Sequence, residues 1–264
     1  MTNITILDLL SRKKNSQKIS MITCYDYASA KIASKSNIDI VFAGDSLGMT
    51  MLGHKNTIPC TTEIMALFTQ AVAKGAPNKF ILGDLPFLSL RKDLEPAMNA
   101  IEQLMRAGAH ALKFEGFADD YLLPHIINSG IPIMGHIGLT PQFIHQFGGF
   151  RVQGKNDSSS EKILKEALAL EKAGCFAIVL ECIPPLLAKQ ITESISIPTI
   201  GIGAGPHTDG QVLIWQDFLG MDPDFSPKFV KTYFNGFEAI SNALNAYDQD
   251  VKSSTFPEPQ HCYK

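Results

Sequence analysis

Residues 79–86 read KFILGDLP, and residues 110–116 read HALKFEG. Each is a short apolar run that ends in charged side chains. A continuous run of this length reads as a strand buried on both faces, as in a parallel sheet. The pattern recurs on both sides: ISMITCYD (19–26), DIVFAGD (39–45), IPIMGHIG (131–138), CFAIVLEC (175–182) and IPTIGIGA (197–204), with QVLIW (211–215) as a weaker eighth.

The stretches between these runs have helical spacing. TTEIMALFTQAVAK (61–74) starts on a Thr cap with Glu63 in its first turn. DLEPAMNAIEQLMRA (93–107) starts on Asp93 and stops at Gly108. SSSEKILKEALALEKA (158–173) starts on serines and stops at Gly174. Polar caps in front and glycine behind are ordinary helix punctuation. Asp119 and Asp120 open another short helix. Alternating strands and helices predict an α/β protein, a (β/α)8 barrel. A doubly wound open sheet is the alternative, weakened because the first strand–helix turn carries no G-x-G-x-x-G. Residues 227–250 read as a terminal helix with Phe229, Tyr233, Phe234 and Phe237 near one face, and the Ser- and Pro-rich residues 252–264 as a poorly ordered tail. One domain over 1–264 is expected.

Composition narrows the class. With 264 residues, a single barrel is accommodated, and 45% hydrophobic with 19% charged residues is globular usage. The net charge of −3 offers no basic surplus for nucleic acid. No apolar run approaches the ~18 residues of a membrane span, and the apolar stretch at the start is broken by Asp8, unlike a secretory leader. The five cysteines lack C-x-x-C spacing, which argues against zinc ribbons and disulfide frameworks and fits a reducing, cytoplasmic compartment.

In barrels the chemistry sits where strands run out into the following loops. Those ends carry Tyr25-Asp26, Asp45-Ser46, Asp84, Lys113 with Glu115, His136, Glu181 and the glycines of 201–205. Asp45, Asp84 and Glu115 are hard oxygen donors from different strands, the inventory for Mg²⁺; singly, each could instead cap a helix or pair with Lys113. Lys113 and Glu115, two apart on one strand, share a face. Lys113 could hold an anionic carboxylate, form a Schiff base, or simply pair with an acid. Glu181 ends a strongly apolar run, where desolvation would suit a general base; a rim glutamate is the alternative. His136 could donate to a substrate oxygen or be a satisfied core histidine. GIGAG (201–205) could cradle phosphate or make a tight turn. The long segments 46–60 and 139–157, with Met49, Met51, Phe143 and Phe147, suggest lids over an apolar substrate.

GDSLGMTMLGH (44–54), GDLPF (83–87), KFEG (113–116), GHIGLTPQ (135–142), FGGFRVQG (147–154), LEC (180–182) and GIGAG (201–205) with TDGQ (208–211) together resemble the ketopantoate hydroxymethyltransferase family, in order from about Thr23 to Phe229. The resemblance implies a barrel of the phosphoenolpyruvate/pyruvate type and a homo-oligomer, typically a decamer. It implies transfer of a one-carbon unit from 5,10-methylenetetrahydrofolate to 3-methyl-2-oxobutanoate through a Mg²⁺-stabilised enolate, giving ketopantoate for pantothenate and coenzyme A synthesis. It carries Mg²⁺ onto Asp45, Asp84 and Glu115, keto-acid contacts onto Asp45, Ser46, Asp84 and Lys113, and the base onto Glu181; His136 joins the expected substrate contacts. Beside it stand a lyase or aldolase using the same metal–enolate logic, a non-catalytic metabolite-binding barrel, and a phosphosugar-binding barrel.

Overall fold

The computed structural model describes residues 4–116 and 121–264. Among these, eight parallel strands close into a barrel, each hydrogen-bonded to the next and the last to the first. In chain order the elements are α1 (Ile6–Lys14), β1 (Ile19–Thr23), α2 (Tyr27–Ser34), β2 (Ile40–Ala43), α3 (Leu47–Thr50), α4 (Thr62–Gly75), β3 (Phe80–Asp84), α5 (Leu94–Arg106), β4 (Ala111–Glu115), α6 (Leu122–Asn128), β5 (Ile133–Gly138), α7 (Ile144–Phe147), α8 (Asp157–Ala173), β6 (Ala177–Glu181), α9 (Pro185–Ser194), β7 (Thr199–Ile202), β8 (Gly210–Leu213), α10 (Trp215–Phe218) and α11 (Gly236–Lys252). The (β/α)8 architecture is borne out. The weak eighth run supplies β8, which pairs with both β7 and β1. That closure excludes the open doubly wound sheet. The helix start expected at Asp119-Asp120 lies outside the described residues.

Period-two alternation explains both the core and what lies above it. Phe80 and Leu82 on β3, Ala111 on β4, Met134 on β5, and Ala177 and Val179 on β6 belong to one buried apolar cluster. Side chains two residues further along each strand keep the same face. The next inward positions are therefore Asp84, Lys113 and Glu115, His136, and Glu181. The apolar layers contribute roughly 1.5–3 kcal/mol per large side chain. At the other end of the barrel α1 is the floor. Leu9 joins the same cluster, with Ile4 and Ile6 packed against it. Arg12 reaches Asp39 at 2.6 Å and Lys13 reaches Asp209 at 3.0 Å, fastening α1 to the segments that lead into β2 and β8.

The helix punctuation holds with local changes. Thr61 caps α4 by accepting from the Ile64 N–H. Asp93 occupies the cap position of α5, but its side chain makes no cap hydrogen bond. The cap of α8 is Asn156 rather than a serine, reciprocated by Ser159, and Gly174 ends that helix at φ 99°.

The chain divides into two compact units, one up to Ile214 and one from Trp215 to Lys264. In the second, the helix expected over 227–250 begins only at Gly236 and runs to Lys252. The reason is visible in the backbone. Tyr233, Gly236 and Phe237 donate their N–H groups to the carbonyls of Phe218, Leu219 and Gly220, so residues 233–235 cannot join a helical ladder. Val230, Thr232, Tyr233 and Phe234 are also β-branched or aromatic and favour extended backbone. The segment after α11 is not featureless: the Phe256 ring packs on Tyr247 and His261, and Pro259–His261 forms a 3₁₀ turn.

Gly138 ends β5 at φ 93°, and a Cβ there would collide with the Glu181 carbonyl and meet Ile183. Gly138→Ala should cost about 1–3 kcal/mol through forced left-handed backbone alone. Chemical denaturation followed by tryptophan fluorescence and circular dichroism would measure it; an unchanged midpoint would contradict the assignment of strain to this position.

Candidate active site

Strand register gathers the polar layer at one rim. Asp84 on β3 pairs with Lys113 on β4, Glu115 on β4 with His136 on β5, and Gly138 on β5 with Glu181 on β6. Asp45 and Ser46 follow β2 after Gly44. The sequence-named residues therefore converge, although they are spread over more than half the chain.

The contacts form a continuous network. Lys113 Nζ lies 3.1 Å from Asp84 Oδ1 and 3.3 Å from Glu115 Oε1. It also lies 3.3 Å from His136 Nδ1. The Asp45 N–H donates to Asp84 Oδ2 at 2.9 Å. His136 Nε2 is 3.3 Å from Glu181 Oε2, without the alignment of a hydrogen bond. Ser46 Oγ and Tyr25 Oη share a hydrogen bond of 2.8 Å. Asp45, Asp84, Lys113, Glu115 and His136 are buried. Glu181 stands at the solvent edge, its side chain 17% exposed. It is less desolvated than an apolar strand end suggests.

One ammonium faces three buried carboxylates, and that imbalance sets the electrostatics. Burial, then the charges of Asp84 and Glu115, push the Asp45 carboxyl well above the usual range. Burial also raises Asp84, partly offset by Lys113. Burial opposes the Glu115 charge too, but Lys113, 3.3 Å away, stabilises it and holds the carboxyl below the usual range. Burial opposes the Lys113 cation, but Asp84, Glu115 and Asp45 outweigh it and raise its pKa, so it is charged. Burial and Lys113 likewise oppose a protonated His136 ring, while Glu115 and Glu181 favour it and bring it to about 9. The short Lys113–Nδ1 contact conflicts with that, since a charged ammonium needs a lone pair at Nδ1. With Lys113 protonated, the geometry favours a neutral ring carrying its proton on Nε2, toward Glu181.

Gln142 is the residue that sequence reasoning did not single out. Its side-chain amide donates to Asp45 Oδ2 and to the Leu85 carbonyl, both at 2.9 Å. Its backbone N–H donates to Glu115 Oε2 at 2.9 Å. An uncharged glutamine in a loop gives no charge pattern to read; only its place after GHIGLTP hinted at it. The 139–157 segment is not structureless here, since it holds the 3₁₀ turn Pro141–Phe143 and α7. The 46–60 segment likewise opens with α3, and Cys60 Sγ approaches the Asp45 carbonyl at 3.4 Å. In GIGAG, Gly203 and Gly205 have positive φ and the Gln211 amide holds the Gly205 carbonyl, the arrangement of a turn.

The acids suit a hard divalent cation. Among the described residues, buried Asp84 Oδ1 meets the Lys113 ammonium at 3.1 Å but no aligned hydrogen-bond donor. The mutual repulsion that raises Asp45 is the surplus negative charge that such a cation would neutralise. Among the described residues no group of three or more His, Cys, Asp or Glu side chains already stands at ligand spacing. The Lys113 ammonium lies on Asp84 Oδ1 and Glu115 Oε1 instead, so binding would require that side chain to move aside.

Removing the ammonium exposes the imbalance. Lys113→Met should destabilise the fold by about 3–5 kcal/mol near neutral pH, since it leaves buried carboxylates uncompensated. Acids whose folded pKa is raised favour folding at low pH and lose that contribution as pH rises. The deficit against the parent protein should therefore narrow between about pH 7 and about pH 5. Thermal midpoints at both values test this; a deficit that widens on acidification would contradict the charge reading.

Comparison with known proteins identifies the family. A family model described as ketopantoate hydroxymethyltransferase matches residues 3–259. The 3-methyl-2-oxobutanoate hydroxymethyltransferase of Coxiella burnetii (strain RSA 493 / Nine Mile phase I) is 58% identical over 260 residues, covering 97% of each chain. That of Francisella tularensis subsp. novicida (strain U112) is 54% identical, covering 98% of each. Among solved structures, phosphonopyruvate hydrolase in complex with oxalate and Mg++ superposes with a TM-score of 0.62 at 11% identity, over 99% of this chain and 93% of that one. The 2,3-dimethylmalate lyase of the PEP mutase/isocitrate lyase superfamily gives 0.59 at 16% identity, over 97% and 92%. These distant likenesses establish the barrel type alone. The family match over nearly the whole chain goes further, and with the relatives above half identical end to end, the chain belongs to the ketopantoate hydroxymethyltransferase family.

Proposed function

We propose that this protein transfers a hydroxymethyl group from 5,10-methylenetetrahydrofolate to 3-methyl-2-oxobutanoate, forming 2-dehydropantoate (ketopantoate) for pantothenate synthesis. The observation that carries the reading is the buried acid cluster with a single ammonium, in a chain of this family. Asp45, Asp84 and Glu115 would hold Mg²⁺. When bound, Mg²⁺ supplies Lewis acidity that stabilises negative charge on the keto oxygen.

The remaining roles fall to this chain's own groups. With the acid charge neutralised, Lys113 can turn an N–H toward the substrate carboxylate. The Ser46 hydroxyl, oriented by Tyr25, can donate to the same group. Glu181, at the solvent edge, would take the proton from C3, and His136, whose Nε2 lies 3.3 Å from it, would steady the carboxylate. The C3–H electron pair moves toward the keto oxygen and then forms the new bond to the one-carbon unit. Both C–N bonds of the bridging methylene break, the C3 proton and one proton of a water go to the two folate nitrogens, and the oxygen of that water becomes the hydroxyl. The segments 46–60 and 139–157 would cover the site. A lyase acting on a related keto acid remains the competing chemistry, distinguished by indifference to folate.

We further propose a cytoplasmic homo-oligomer, a decamer as in the family resemblance. The five free cysteines fit a reducing compartment. On α11 the exposed Phe237, Ile240, Leu244, Tyr247 and Val251 recur at alternating three- and four-residue spacing, an apolar stripe suited to subunit contact.

Deuterium exchange at C3 of 3-methyl-2-oxobutanoate, followed by proton NMR with and without Mg²⁺ and tetrahydrofolate, tests the proton-transfer half of the reaction. Metal-dependent exchange that Asp84→Ala abolishes is expected; no exchange from folded protein would sink the proposal. Glu181→Gln should still bind the keto acid but lose at least about 10²-fold in turnover, the usual contribution of a general base. Near-normal turnover in that variant would remove Glu181 from the role.

A further inference from the structure

Asp45 is the acid that Lys113 does not reach. Lys113 makes its ion pairs with Asp84 and Glu115. Asp45 Oδ2 is instead met by the uncharged Gln142 amide at 2.9 Å, which is fixed from behind by the Leu85 carbonyl. The same residue holds Glu115 Oε2 with its backbone N–H. Gln142 stands in the 3₁₀ turn that Pro141 begins. One buried residue thus grips two of the three acids, from a loop that belongs to neither of their strands.

We infer that Gln142 is a positioning residue for the cation site. Its side-chain amide fixes the Asp45 carboxylate by one oxygen and leaves Oδ1 to face the cation. Its backbone does the same for Glu115, so the 139–149 segment must be seated for the acids to be aligned. This rests on the proposed Mg²⁺ role of Asp45, Asp84 and Glu115. The amide cannot carry charge, so it orients the carboxylate without competing as a second cation. Groups that orient ligands from behind typically account for 10–100-fold in metal affinity.

Manganese serves as the probe, because free Mn²⁺ is counted directly by electron paramagnetic resonance. The full-length protein would be titrated alongside Gln142→Ala and Gln142→Met, with circular dichroism and thermal midpoints recorded for each. Gln142→Met keeps the side-chain volume and loses only the donor. The expected result is that both variants stay folded and bind Mn²⁺ at least about tenfold more weakly. If Gln142→Met binds Mn²⁺ as tightly as the parent protein, or more tightly, the amide is packing or a competitor, and the inference is overturned. A parent protein that binds no Mn²⁺ would instead bring down the proposed cation site itself, a separately recognisable failure.

Discussion

The Lys113 ammonium holds the polar end of the barrel together. It sits among Asp84, Glu115 and His136, where water is nearly absent. Charges buried without partners cost several kcal/mol each, so the layer is tolerable only while the lysine stays protonated and in contact. One cation cannot balance three carboxylates, and Asp45 carries the remainder. Burial and the neighbouring acids push Asp45 toward its protonated form, so the layer has room for further positive charge.

The frame is a consequence of the closed barrel. Inward positions stack in layers, and the lower ones are filled by Phe80, Leu82, Met134 and Val179 over the α1 floor. Apolar packing below leaves the upper layer no freedom to sink or tilt. Parallel register then fixes which upper residues meet. A shift of one residue between β3 and β4 would turn Lys113 outward and leave Asp84 alone, so the register is enforced by the core and by the charges together.

The site is also asymmetric in a chemically useful way. Asp45, Asp84 and Glu115 are shielded from solvent, while Glu181 lies at the edge. A shielded group suits binding of a cation, and an edge group can exchange a proton with water. His136 spans the two regions, touching Lys113 and Glu115 on one side and Glu181 on the other.

Much of this is present in the sequence, because strands and helices are written in local periodicity. The runs ending in Asp84, Lys113-Phe114-Glu115 and Glu181 state both the strand and the charged residue that closes it. The start of α11 was less legible, since residues 227–235 resemble a helix until the N–H groups of Tyr233, Gly236 and Phe237 are claimed by Phe218, Leu219 and Gly220. The sequence by itself determined the barrel and the identity of its charged rim, since alternation and apolar runs are local properties. Only the tertiary structure decided that Gln142 reaches Asp45 across the mouth, that Lys113 serves two acids but not the third, and that Glu181 stands nearer to water. Those depend on distances between segments far apart in the chain, which no local pattern encodes.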